Sequence, residues 1–143
     1  MDLEKEWLLK MVDKLYLEEE VKAEKNFRLK LMSTILLKTL KKRMDFVNVS
    51  KKGKRSFSKG FILQKYKRNT LLQDSSVRVG FTITKKIGGA VVRNKIKRRF
   101  RAIIKDVLNK YLKKNYDYVI IANKKSLIMD YKELKNDVIK VLK

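Results

Sequence analysis

The apolar positions at the start of the chain follow a helical period. Leu3, Trp7, Met11 and Leu15 recur every four residues, and no glycine or proline interrupts residues 1–38. A repeat of four places apolar side chains on one face of an α-helix. The pattern therefore predicts a helical segment, whose apolar stripe we expect to dock on its own domain or on a second copy of the chain.

The pattern changes after this segment. Residues 40–53 (LKKRMDFVNVSKKG) predict a short helix, and Gly53 is a typical helix stop. Residues 56–66 (SFSKGFILQKY) are rich in aromatic and branched side chains and predict a single strand. Turn-forming residues 67–76 are expected to join it to the next strand as a hairpin loop.

Residues 77–84 (VRVGFTIT) give the clearest strand pattern. The odd-numbered positions are apolar and predict a core-facing side, whereas the even-numbered ones, from Arg78 to Thr84, are polar or glycine. The second face has two interpretations: it lies against an extended RNA strand, or it is an ordinary solvent-facing side of a sheet.

Residues 91–113 form the longest amphipathic pattern. One side predicts a packing stripe at spacings of three and four: Val92, Ile96, Phe100, Ile103, Val107 and Tyr111. The opposite side holds polar and basic residues: Asn94, Arg98, Arg101 and Lys105. Arg93 and Lys97 lie on one shoulder of the stripe and Arg99 on the other. This helix can pack on a sheet and still present guanidinium groups, whose fork geometry matches phosphate oxygens.

The remaining patterns complete the predicted fold. Residues 116–122 (YDYVIIA) predict a buried strand after a strand–helix pair, which implies a βαβ unit and a partly parallel sheet. A last helix is expected after Asp130, with Glu133 at capping-box spacing. The predicted fold class is α+β, an α/β sandwich with a small mixed sheet and helices, preceded by an extra N-terminal helical segment.

Charge divides the chain into two parts. Residues 1–40 hold eight acidic and eight basic side chains, so the net charge of +23 belongs to the rest. We therefore predict a helical extension at 1–38 and a basic domain at 39–143. So high a positive charge is best tolerated beside a polyanion. Nucleic acid is the expected partner, and a membrane surface working through the first segment is a weaker alternative.

Several classes of function are disfavoured. The chain has no cysteine and no histidine, which excludes disulfides, zinc–thiolate sites and histidine acid–base catalysis. The acidic residues after position 40 are scattered without paired spacing, which disfavours an autonomous metal nuclease, and Asp106 is expected to form an internal salt bridge. Residues 31–37 are the longest uncharged run near the start and are too short to span a membrane, so we expect a cytoplasmic protein.

The densest basic run is residues 85–101, KKIGGAVVRNKIKRRFR. Gly88 and Gly89 precede a predicted helix start, where unpaired backbone N–H groups favour an anion. The run closely resembles the hallmark of the bacterial ribonuclease P protein subunit, K-x-G-x-A-V-x-R-N-x-x-K-R-x-x-R, with every fixed position present. Flanking elements agree in order, and the resemblance covers about residues 38–142.

The resemblance implies a fold and a function. The fold would contain a left-handed βαβ crossover. The protein would belong to a ribonucleoprotein endonuclease, a hydrolase of tRNA processing that removes the 5′ leader of precursor tRNA. Catalysis would rest with the RNA subunit and its Mg²⁺ ions, with no catalytic residue, metal site, small-molecule substrate or membrane partner on the protein. An alternative is a non-catalytic ribosome-associated or general RNA-binding protein.

The resemblance also implies which residues bind RNA. Six positions would bind the RNA subunit: Lys86, Arg93, Asn94, Lys97, Arg98 and Arg101. Four would bind the leader, in or near a cleft between the sheet and the helix at 40–53: Phe46, Lys85, Tyr66 and Arg78. The chain departs from the family pattern at Ser50 and Gln64, where aromatic residues are frequent, at Gly89, where asparagine is common, and at Asn123, where arginine is common.

Overall fold

The structure, a computed structural model, describes residues 3–33, 35–69 and 76–143. The chain divides into two compact units, Met1–Thr34 and Ile35–Lys143. This division falls four residues before the predicted end of the extension, because residues 37–39 form a strand of the second unit.

The first unit is a single long helix, α1, at Leu3–Ser33. Its existence confirms the helical pattern of the segment. Trp7, Met11 and Leu15 are exposed to solvent. The docking of this apolar stripe stays a prediction.

The second unit is built on a five-stranded mixed sheet. Its strands are β1 (Leu37–Thr39), β2 (Lys54–Phe57), β3 (Phe61–Lys67), β4 (Val77–Thr82) and β5 (Tyr116–Ala122). Its helices are α2 (Arg43–Lys52), α3 (Ala90–Tyr111), α4 (Lys125–Ile128) and α5 (Tyr131–Leu142). The strand order is β1-β4-β5-β3-β2. Strand β4 runs parallel to β1 and β5, whereas β3 runs antiparallel to β5 and β2.

This architecture confirms the mixed α+β fold and the βαβ unit, which is β4–α3–β5. The left-handed sense of that crossover stays a prediction. No helix in the described ranges is both long and apolar enough to cross a membrane.

Two expectations about the strands are wrong. Residues 56–66 do not form one strand, because the chain turns back between β2 and β3 and the Ser58 N–H donates to the Phe61 carbonyl at 2.9 Å. Gly60 in this turn is packed so tightly that a Cβ there would lie 2.8 Å from the Met129 sulfur. The second expectation, that β3 and β4 form a hairpin, fails because β5 lies between them. Residues 70–75 of the predicted loop lie outside the described residues.

The main core lies between one face of the sheet and helices α3 and α5. The predicted stripe of α3 is confirmed: Ile96, Phe100 and Ile103 are each 0% exposed. The Phe100 ring meets the Phe61 ring edge-on, with centroids 5.5 Å apart. Helix α5 begins after Asp130 as predicted, but the Asp130 side chain makes no capping hydrogen bond.

Helix α2 covers the other face of the sheet over a smaller apolar cluster. The buried members of this cluster are Leu40, Val49 and Val119. Gly80 is buried here under α2, so the solvent-facing interpretation of this part of the sheet is wrong. The cover comes from α2, whose Phe46 ring lies against Gly80.

Candidate nucleic-acid interface

The outer face of α3 is a continuous polar and basic surface. Asn94, Arg98 and Arg101 are exposed, as the helical pattern predicted. None of the three forms an ion pair with a carboxylate of the residues described. Because arginine presents five donors in a rigid fork, unpaired arginines along one helix face suit the phosphate groups of a nucleic acid.

The basic face continues around the start of α3. Lys85 and Lys86 are exposed on a single 3₁₀ turn, Lys85–Ile87, which the sequence did not predict. Gly89 is the N-cap of α3 in extended backbone, and its side-chain position is open space. The unpaired N–H groups and positive dipole of the helix start lie next to these two lysines, and both features favour an anion.

The shoulder residues Arg93 and Lys97 are half-buried. The Arg93 Nε–H is buried and finds no hydrogen-bond acceptor among the residues described. The Arg93 side chain is therefore less accessible to a ligand than those of Arg98 and Arg101, which are exposed.

Arg99, on the opposite shoulder, has a structural contact instead. It donates to the carbonyl oxygens of Ser126 at 2.7 Å and Leu127 at 3.2 Å, and also to that of Met129. These carbonyls lie in and just after the short helix α4, whose C-terminal carbonyls lack partners within the helix. Arg99 thus holds α4 against α3 and does not belong to the exposed basic face.

The cleft between α2 and the sheet depends on close approach at Gly80. A Cβ at this position would lie 2.6 Å from the Phe46 ring and 3.1 Å from Leu40. Only glycine allows the Phe46 ring to rest on the backbone of β4. Gly80 therefore fixes the depth of Phe46 in the cleft.

Phe46 lines an open groove of about 410 Å³ whose other walls come from β4, the segment before α2, and α3. Lys97 of α3 lines the same groove, so the structure brings a predicted leader residue together with a predicted RNA-subunit residue. Lys41 and Arg43 also line it. The sequence placed these two cations near Phe46 but gave them no role, since nothing local showed which way they point.

Arg78, predicted to bind the leader, lies under α2 in an ion-pair network. Its Nε donates to Asp117 at 2.8 Å, and its Nη1 donates to Asp45 at 3.2 Å. Arg68 pairs with the same Asp117 at 3.2 Å. The hydrogen bond to Asp117 raises the pKa of Arg78 above its ordinary value, partly opposed by desolvation. On the sheet side of the cleft between α2 and the sheet, Arg78 is thus held by two carboxylates, and it helps to shape that cleft.

Asp117 is the functional-site residue that sequence reasoning missed. It is 2% exposed and joins both arginines beneath α2. The available signal was a carboxylate inside an otherwise apolar strand pattern. A buried charge of this kind requires a partner.

The remaining predicted positions lie apart from the Phe46 groove. Tyr66 lines a separate groove near the opposite end of α2. Ser50 accepts a hydrogen bond from Arg55 through its carbonyl at 3.1 Å, and Gln64 is 4% exposed. Neither offers an aromatic surface beside Phe46.

The acidic residues do not form a metal site in the described ranges, which hold no group of three or more that could bind an ion. Asp106 pairs with Lys135 at 2.9 Å, as predicted. The hydrogen bond from Lys135 lowers the pKa of Asp106.

Comparison with known proteins gives one consistent family. The family model described as Ribonuclease P matches residues 37–143. The ribonuclease P protein component of Paramagnetospirillum magneticum is 39% identical over 108 residues, 75% of this chain and 81% of that protein. The corresponding protein of Bacillus cereus is 36% identical over 104 residues, 73% of this chain and 87% of that protein.

Solved structures agree with this match. The Staphylococcus aureus RNase P protein aligns with a TM-score of 0.63 and 30% identity, over 73% of this chain and 91% of its own. The Thermotoga maritima RNase P protein aligns with a TM-score of 0.63 and 27% identity, over 73% and 94%. Both alignments omit about a quarter of the present chain.

Proposed function

Since this chain belongs to the ribonuclease P protein family, we propose that it binds the RNA subunit through α3 and the 5′ leader of precursor tRNA through the Phe46 groove. Family membership makes the chain the protein component of a ribonucleoprotein tRNA-processing enzyme, with ribonuclease P RNA as its partner. The observation that supports the finer assignment is Lys97, which lies on the shoulder of α3 next to its basic face and also lines the groove.

The proposed role of α3 is electrostatic docking. Arg98 and Arg101 neutralise phosphates of the RNA subunit and displace condensed counterions, so that binding weakens steeply with salt. Lys86 acts at the start of the helix, beside its N–H groups, while the neighbouring Lys85 is assigned to the leader. These are backbone contacts, which position an RNA without reading its sequence.

The proposed role of the groove is to hold a single strand. Phe46 offers a ring for base stacking, worth about 1–3 kcal/mol per base, while Lys41 and Arg43 bind the neighbouring phosphates. Ser50 and Gln64 provide no second ring, and Phe81, which also lines the groove, packs against the main core, so stacking in this groove is assigned to Phe46. Arg78 acts indirectly, by fixing β4 and β5 beneath the strand.

Catalysis is proposed to reside in the RNA subunit, with Mg²⁺ ions bound there. The chemistry that Mg²⁺ supplies is activation of water and stabilisation of the departing oxygen. The protein contributes fixed cations that reduce phosphate repulsion between the RNA subunit and the precursor. It should therefore lower the Mg²⁺ concentration that cleavage requires.

The test is cleavage of precursor tRNA at low Mg²⁺, with the cognate RNA subunit present and absent. We expect the protein to stimulate the RNA subunit and to cut nothing alone. A protein that cuts alone would favour an autonomous nuclease, and one that never stimulates the RNA would contradict the proposal.

A matched pair of variants tests the leader site. Phe46→Leu keeps an apolar side chain but removes the ring, and Phe57→Leu makes the same change at a residue 71% exposed and outside the groove. We expect Phe46→Leu alone to weaken binding of a precursor with a leader, by about 1 kcal/mol. Equal effects on leaderless tRNA would favour a general RNA-binding protein.

A further inference from the structure

A second basic groove lies near the far end of α2. It has a volume of about 430 Å³ and is lined by five lysines and two tyrosines: Lys52, Lys54, Lys65, Tyr66, Lys67, Lys113 and Tyr116. We call it the lysine groove. No acidic side chain lines it, and none of its five lysines pairs with a carboxylate of the described chain.

The backbone pairing of the lysine groove places like charges together. Lys54 of β2 lies directly opposite Lys65 of β3 in their antiparallel ladder. Like charges in this position destabilise a sheet. Lys52 is accounted for by the negative end of α2, where a cation is favourable, but that explanation does not extend to Lys54, Lys65 and Lys67. The arrangement costs stability unless an anion lies across it.

The frame of the lysine groove is fixed. Gly53 brings the end of α2 so close to β3 that a Cβ there would lie 2.9 Å from the Lys65 carbonyl. The Lys113 N–H donates to the Tyr118 hydroxyl at 3.1 Å, which holds the loop after α3. Asn115 adopts φ 63°, the one positive φ of a non-glycine residue in the described chain, and its carbonyl accepts the Arg68 N–H at 2.9 Å. A fixed frame reduces the ordering cost of binding.

The two grooves lie near opposite ends of α2. Arg43, its first residue, lines the Phe46 groove, and Lys52, its last, lines the lysine groove. The ten residues of α2 between them span about 15 Å. A single strand that enters at Phe46 and follows α2 would reach the lysine groove only if it is long enough.

We infer that the lysine groove binds the phosphates of single-stranded RNA, as a distal part of the leader site. This inference rests on the proposed function, because it extends the same strand beyond Phe46. Lysine ammonium groups bind phosphate as point charges without base preference, so the groove selects for leader length and not for sequence.

The experiment uses the reconstituted holoenzyme and two precursor tRNAs, with leaders of about two and about ten nucleotides, a range set by single-strand site sizes. The groove variant combines Lys54→Ala, Lys65→Ala and Lys67→Ala. The control variant combines Lys124→Ala, Lys132→Ala and Lys143→Ala, which removes the same charge from exposed sites outside both grooves. Substrate affinity is measured over a salt series.

We expect the groove variant to bind the long-leader precursor on the order of tenfold more weakly, and its salt slope to fall by about 2, as three lost single-strand contacts imply. Short-leader binding should match that of the control variant. The thermal unfolding midpoint of the free groove variant should be unchanged or higher, because the opposed lysines are gone.

Three results overturn the inference. Equal losses with both leaders assign the lysines to another RNA contact, and no loss with either shows that they bind no RNA. If the wild-type holoenzyme itself does not distinguish a leader-bearing precursor from leaderless tRNA, the proposed leader site fails together with the lysine groove.

Discussion

Arginines on the two sides of the second unit differ in what they bind. On the outer face of α3, Arg98 and Arg101 are exposed and make no carboxylate contact in the described chain. Beneath α2, Arg68 and Arg78 both pair with the buried Asp117. Arg68, Arg98 and Arg101 belong to basic stretches of sequence, whereas Arg78 is the only charged residue between Asp74 and Lys85. The difference lies in position: Arg68 and Arg78 reach a buried carboxylate, whereas Arg98 and Arg101 point away from the carboxylates of the described chain.

The largest expected effect comes from removing that carboxylate. Asp117→Ala leaves two arginines without their buried partner, and breaking a buried pair in this way costs about 3–5 kcal/mol. Urea unfolding followed by circular dichroism measures the loss. Asp106→Ala is the control, since it removes a carboxylate from an exposed pair with Lys135. Equal stabilities of the two variants would contradict the structural role of Asp117.

A smaller effect distinguishes two neighbours on α3. Arg99→Ala leaves carbonyls at the end of α4 without their donor, which should cost about 1–3 kcal/mol of unfolding free energy. The affinity for the RNA subunit should fall only by the amount that the loss of one positive charge remote from the RNA causes. Thermal unfolding and a filter-binding titration give the two values. A variant of undiminished stability would place Arg99 with the RNA-binding residues.

The opposite pattern, a loss of RNA affinity without a loss of stability, is expected for Arg98, the residue before Arg99. Arg98→Ala should change the unfolding free energy by less than about 0.5 kcal/mol, because the side chain is exposed and unpaired. It should weaken RNA-subunit binding uniformly and reduce the salt slope by about 1. The slope comes from affinities measured over a salt series. Loss of stability without loss of affinity would reverse the comparison between the two regions.

The smallest effect concerns the entrance of α3. Gly89→Asn supplies a side-chain acceptor at the N-cap, in extended backbone and with open space around it. Asparagine should stabilise the helix by a few tenths of a kcal/mol over glycine. Differential scanning calorimetry detects this as a small rise in the unfolding temperature. A fall would mean that the asparagine side chain does not fit the N-cap.

Sequence reasoning succeeded where contacts are local. The stripe and basic face of α3 follow from a 3.6-residue period, and the burial of Ile96 and Phe100 agrees with it. The position of Phe46 near cations was also visible. These features depend only on residues within a few turns of one another.

Sequence reasoning failed where segments that are distant in the chain meet in the fold. The insertion of β5 between β3 and β4 pairs Gln64 with Val119 and Gly80 with Val119, contacts that no local pattern predicts. The ion pair of Arg78 was missed for the same reason, since Asp117 lies 39 positions away in the chain. The two grooves likewise combine residues from separate elements.

The place of β5 in the sheet has a consequence for synthesis on the ribosome. The strand that joins both halves of the sheet is the last strand to be made, after α3. Until residues 116–122 emerge, β3 and β4 have no shared neighbour and the apolar side of α3 has no complete sheet to cover. Non-local pairing of this kind slows folding. The strongly basic α3 is therefore synthesised before the sheet that supports it can close.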